Sequence, residues 1–177
     1  MRHLTLLTTG GTIEKVYDER TGALENRGTM IREMLDQLRL EETRVHTVEL
    51  MSKDSLVMTD DDRAAVVAAV RRALAGSEGP CDGVVILHGT DTLCQTGERL
   101  ARDLAADGGP RAAVVLTGAM RPYEMKRSDA LQNLTEALFA AGGAVGPGVY
   151  VAAHGRALRF PGVVKDRDRG TFVRAAR

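Results

Sequence analysis

Apolar residues along this chain fall into two rhythms. Five short runs, His3 to Thr8, Val45 to Leu50, Gly83 to Leu87, Ala112 to Thr117 and Gly148 to Ala153, are of strand length and rich in β-forming residues. Between them, apolar positions recur at three- and four-residue spacing. Met30, Ile31, Met34, Leu35 and Leu38 form one such set, and Val66, Val67, Val70 and Leu74 a second. Leu93, Thr96, Leu100 and Leu104 form a third, and Leu131, Leu134, Leu138 and Ala141 a fourth. Each set covers one face of a helix. Strands alternating with helices predict an α/β fold: three layers, doubly wound, with a mainly parallel sheet of the Rossmann or flavodoxin kind.

The punctuation agrees with these elements. Thr59 followed by Asp60, Asp61 and Asp62 reads as a helix start. Thr59 is the cap, Asp62 can reach back to it, and the aspartates favour the positive end of the helix. The acidic run is therefore structural and not a metal site. Residues 76–80 and 108–110 are turns that feed the next strand. After Ala153 the pattern weakens, and residues 154–177 are expected to form a hairpin followed by a charged tail.

Composition narrows the function. The 177 residues are expected to form a single domain, 1–177. With 24 basic against 24 acidic residues, the chain offers no electrostatic footprint for nucleic acid or a membrane surface. Three tyrosines, three phenylalanines and no tryptophan also argue against base stacking. Cys81 and Cys94 form neither a disulfide framework nor a zinc knuckle, and they read as core fillers. No stretch approaches the roughly 20 apolar residues of a membrane span, and the apolar start is shorter than a signal-peptide core. A cytoplasmic location is expected, with a small molecule as the partner.

Ligands of open α/β sheets bind at the carboxyl ends of the strands. In this sequence every such end carries glycine or polar residues: TGGTIEK after the first strand, MSKDS after the second, HGTDT, TGAMRP and HGR after the others. Glycines let the backbone approach a ligand closely. TGGT has no Gly-Lys-Ser/Thr ending and no third glycine, so it is neither a Walker loop nor a dinucleotide fingerprint. A tight turn or a phosphate cradle remains open for that stretch alone. His88 and His154 read as strand-end histidines, since the four histidines lack metal spacing, and no G-x-S-x-G elbow occurs.

Taken together, TTGGTIEK with Thr12, VVILHGTDTL with Thr90 and Asp91, and VVLTGAMRP at 114–122 resemble the bacterial-type L-asparaginase family, the first two matching its two signature motifs. MSKDS at 51–55 falls where the family has a Ser-Gln-Asp segment, and GVVKD at 162–166 where it places its catalytic lysine. The resemblance implies hydrolysis of L-asparagine to L-aspartate and ammonia, without cofactor or metal. It makes Thr12 the nucleophile and assigns Thr90, Asp91 and Lys165 to the catalytic assembly. It also puts Tyr17 on a mobile loop, Glu14 to Gly22, beside the nucleophile, and Ser52 and Asp91 on the substrate. A threonine hydroxyl needs a neighbouring base, for which Lys165 is the candidate. Backbone amides around Gly11 or Gly89 are the candidate oxyanion donors. The glycines would then serve to present Thr12.

Two departures stand out. Family members commonly run to twice this length, with a second, C-terminal domain, so the chain is similar to the short-chain form, and a homo-oligomer, dimer or tetramer, is expected by resemblance alone. Lys53 stands where glutamine is usual. It is expected to turn away, to pair with Asp54, or to bind the substrate carboxylate. Three rival functions remain: a glutaminase or broader amidohydrolase, the related amidase subunit acting on glutamyl-tRNA, and a non-catalytic amino-acid-binding module.

Overall fold

The computed structural model describes residues 1–77 and 79–176, so one position of the predicted 76–80 turn lies outside it. Strand β1 (Arg2–Gly10) is followed by a small hairpin, β2 (Lys15–Tyr17) with β3 (Leu24–Asn26), and by helix α1 (Ile31–Asp36). Then come β4 (Thr43–Lys53), α2 (Asp60–Ala75), β5 (Gly83–Leu87), α3 (Leu93–Ala106), β6 (Ala113–Thr117) and α4 (Ala130–Phe139). The chain continues through β7 (Gly148–Ala153), β8 (Arg156–Arg159), β9 (Val163–Asp166) and β10 (Thr171–Arg174).

One sheet runs in the order β4-β1-β5-β6-β7-β8, parallel except for β8, which returns antiparallel beside β7. Alternate strand residues face opposite cores. Val84, Ile86, Val114 and Leu116 pack with Val66 and Val70 of α2 and Leu100 of α3. On the other face, Val85, Leu87 and Val115 pack with Ile31 and Met34 of α1 and Leu134 of α4. All of these side chains are essentially closed to water, each contributing on the order of 1.5–3 kcal/mol through its burial. The three-layer, doubly wound, mainly parallel α/β sheet expected from the pattern is the fold observed.

The predicted cap is present in full: Thr59 accepts from the Asp62 amide, and the Asp62 carboxylate accepts from the Thr59 amide. The expectation of a charged tail is corrected. Residues 163–174 form a second hairpin, β9 paired with β10, after the β7–β8 hairpin. Four contacts hold it against the domain. Phe160 packs so closely on α3 that a Cβ on Gly97 would lie 2.2 Å from its ring. The Gly162 amide donates to Glu98 at 2.6 Å, Arg156 to the Phe172 carbonyl at 3.0 Å, and Thr171 Oγ1 lies 2.9 Å from His154 Nδ1.

Topology selects the functional edge. By order of occurrence the five parallel strands run 2-1-3-4-5, so the order reverses between β1 and β5. Beyond β1 the chain passes to α1 on one face, and beyond β5 to α3 on the other. Their loops separate at that point and leave a crevice at the carboxyl ends of both strands.

Candidate active site

Residues that follow β1 and β5 meet at this crevice. β1 ends at Gly10 and Gly11 follows it, at φ +88° and +82°, a region open to glycine and strained for other residues. A Cβ on Gly11 would lie 2.4 Å from the Gly89 Cα, and a Cβ on Gly89 would meet Ser55 at 2.5 Å. The glycines therefore seat three loops against one another, carrying Thr12 and Thr90 on adjoining turns. Thr12 opens a single 3-10 turn, Thr12–Glu14; it is partly exposed, and its hydroxyl takes part in no hydrogen bond among the described residues. Thr90 is buried. Gly118 of the TGAMRP loop makes room for it, since a Cβ there would come within 2.3 Å of the His88 carbonyl and 3.1 Å of Thr90 Cγ2.

Lys165 reaches the crevice from β9. Its Nζ donates to Thr90 Oγ1 at 2.8 Å and lies 2.9 Å from Asp91 Oδ1. Hydroxyl, amine and carboxylate thus form one connected group with Lys165 largely withdrawn from solvent. The same Asp91 oxygen also receives Arg167 Nη1 at 3.1 Å. Sequence reading missed Arg167 because it lies in the KDRDRG run assigned to a tail.

The remaining expected residues are placed differently. The Gly11 amide already donates to the Lys53 carbonyl at 2.9 Å, and the Gly11 carbonyl accepts from Asn26 at 2.9 Å. Only the Gly89 amide of the two makes no hydrogen bond among the described residues. Ser52 Oγ is closed to solvent and has no hydrogen-bond partner there. Lys53 does not pair with Asp54: its Nζ lies 2.7 Å from Asp62 on the first turn of α2, while Asp54 binds Lys15 at 2.7 Å and caps the turn at Ser55–Val57. Asp62 is the better partner for Lys53 because α2 begins directly beside the end of β4. Tyr17, 52% exposed, lies at the end of β2, so the predicted loop from Glu14 to Gly22 includes one strand of a small hairpin. Its hydroxyl sits 3.9 Å from where a Gly22 Cβ would be, and no hydrogen bond joins it to Thr12.

Two buried groups support the crevice. His88 is 0% exposed; burial pushes its pKa down to about 4, so it is neutral. Its Nδ1 must donate to the Gly89 carbonyl at 2.9 Å, leaving Nε2 to accept from Thr96 at 2.8 Å. It is a partnered structural histidine. Glu14, two residues from Thr12, is also buried, and burial raises its pKa to about 7 against the hydrogen bonds from Thr29 and the Gly10 amide. Among the described residues no group of three or more His, Cys, Asp and Glu side chains could hold a metal ion.

The family model described as "Asparaginase, N-terminal" matches residues 3–171. The chain belongs to the asparaginase family. It is 35% identical over 150 residues to the L-asparaginase of Thermococcus kodakarensis, covering 84% of this chain and 43% of that protein. It is also 34% identical over 155 residues to a glutamyl-tRNA(Gln) amidotransferase subunit of Aeropyrum pernix, covering 85% of this chain and 34% of that protein. The solved thermostable L-asparaginase from T. kodakarensis superposes with a TM-score of 0.79 at 32% identity, over 92% of this chain and 47% of that one. The probable cytoplasmic L-asparaginase from Campylobacter jejuni gives 0.75 at 28%, over 93% and 50%. The chain thus spans about half, or less, of the asparaginase-family proteins it matches. Among the described residues no helix is long and apolar enough to cross a membrane.

Proposed function

We propose that residues 1–177 act as a catalytic domain that hydrolyses the side-chain amide of L-asparagine, giving L-aspartate and ammonia through a threonine nucleophile. The observation that carries this reading is the Lys165–Thr90–Asp91 group, assembled beside the Thr12 turn. Lys165 Nζ first releases a proton to solvent; Thr12 Oγ1 then attacks the amide carbon, and its proton passes through Thr90 to the neutral Lys165 amine. The oxyanion is met by the free Gly89 amide. The amide C–N bond then breaks, the proton returns to the departing nitrogen, and ammonia leaves an acyl-threonine ester. Water, deprotonated by the same relay, cleaves the ester to aspartate and restores Thr12. Asp91 holds Lys165 in place and receives the substrate's α-ammonium. Ser52 turns its hydroxyl to the substrate carboxylate on binding, and the β2–β3 hairpin brings Tyr17 over the crevice. No cofactor enters the reaction. We place it in the cytoplasm, in a homo-oligomer.

A broader amide specificity, glutamine included, is the second reading, favoured by the 34% identity to the amidotransferase protein. One additional methylene changes discrimination by only about 1–3 kcal/mol. The test is coupled detection of ammonia and of the amino-acid product from asparagine, glutamine and simple amides, with light scattering for the oligomer. Asparagine binding without product would replace the hydrolase by an amino-acid-binding module.

A further inference from the structure

Asp91 carries more positive charge than a substrate-binding carboxylate needs. Lys165, 15% exposed, takes Oδ1 from the inner side, and Arg167, 70% exposed, takes the same oxygen from the solvent side. Arg167 belongs to the turn between β9 and β10, so the hairpin that supplies Lys165 also delivers the guanidinium. Two other cations near this rim are already paired, Lys53 with Asp62 and Lys15 with Asp54.

We infer that Arg167 is a specificity-determining residue. It occupies the α-ammonium subsite on Asp91 and shifts selection from α-amino amides toward amides of the same four-carbon skeleton that carry a carboxylate and no ammonium, succinamate being the simplest. The inference rests on Asp91 being the ammonium ligand in the reading above. An α-ammonium approaching Asp91 must displace the guanidinium and then lie beside Lys165. A ligand without that charge meets no such competition, and its carboxylate finds in Arg167 a forked donor suited to bidentate pairing. Because the Arg167 side chain is mostly exposed, the competition is modest, on the order of fivefold in affinity and not an absolute block.

The products provide the test, because they cannot be turned over. L-aspartate and succinate are titrated calorimetrically into the full chain and into Arg167→Ala and Arg167→Gln, whose side chains stand on an exposed turn. The parent chain is expected to bind succinate more tightly than L-aspartate. In both variants aspartate binding should tighten about fivefold while succinate binding weakens. An unchanged ratio of the two affinities, or no binding of either ligand at millimolar concentration, overturns the inference. Ammonia release is measured separately: the expected ratio without release from asparagine or succinamate removes the hydrolase and leaves the assignment of Arg167 standing.

Discussion

Gly11 and Gly89 stand back to back, so close that a Cβ on the first would lie 2.4 Å from the Cα of the second. Gly11 also sits at φ +82° and ψ −177°, a conformation essentially restricted to glycine. Gly11→Ala is therefore expected to lose roughly 3 kcal/mol or more of stability and to drive the Thr12 and Thr90 turns apart. Thermal unfolding checks the first effect and ammonia release the second. A variant as stable as the parent would show that these turns are not held by direct contact.

Removing Lys165 tests the chemistry with little effect on the fold. In Lys165→Met, Asp91 keeps Arg167 as its ion partner, so the hairpin should remain docked through Phe160 and Glu98. Turnover is expected to fall at least about a hundredfold, with an unfolding midpoint near that of the parent. Residual activity above a tenth would remove Lys165 from the proton relay.

Glu14 gives a stability signature with a definite sign. Its native pKa, about 7, lies above the ordinary value of 4.5, so between these pH values the folded chain holds a proton that the unfolded chain releases. Stability from this group is full below pH 4.5 and is lost as pH rises toward 7. Glu14→Gln, which mimics the protonated form toward Thr29 and the Gly10 amide, should be more stable than the parent at pH 8 by up to about 3 kcal/mol, and equal at pH 4. Denaturant titration at the two pH values measures the difference, and a gain that is the same at both would refute the titration.

Tyr17 separates a lid from a plain surface hairpin. The phenol is half exposed, so Tyr17→Phe should change stability by no more than about 0.5 kcal/mol. If the hairpin closes over substrate, kcat should nonetheless fall about tenfold or more. An unchanged kcat would leave β2–β3 with no part in the reaction.

Much of the framework was legible in local pattern. The runs at 83–87 and 148–153 are the observed strands residue for residue, and Thr59 with Asp62 forms the cap that their spacing predicts. These features depend on neighbours in sequence, so periodicity and capping chemistry expose them. The KDRDRG segment was not legible in the same way. Its hairpin is short and rich in charge, and it is held by partners far along the chain, Thr90, Asp91 and Glu98, with Gly97 under the ring of Phe160. Of the three expectations for Lys53, the pairing with Asp54 fails for a related reason: Asp54, its nearest acid in sequence, is taken by Lys15.

By itself, the sequence determined which residue types were available: hydroxyls placed after glycines at strand ends, an amine in a late segment, and a pattern that can only be buried on both faces of a parallel sheet. Only the tertiary structure decided which of them meet. The reversal of strand order between β1 and β5 opened the crevice, and the closeness of Gly11 to Gly89 joined the two threonine turns. The docked β9–β10 hairpin brought both Lys165 and Arg167 to one oxygen of Asp91. Proximity between residues some 75 positions apart is set by packing and strand order, which no local pattern encodes.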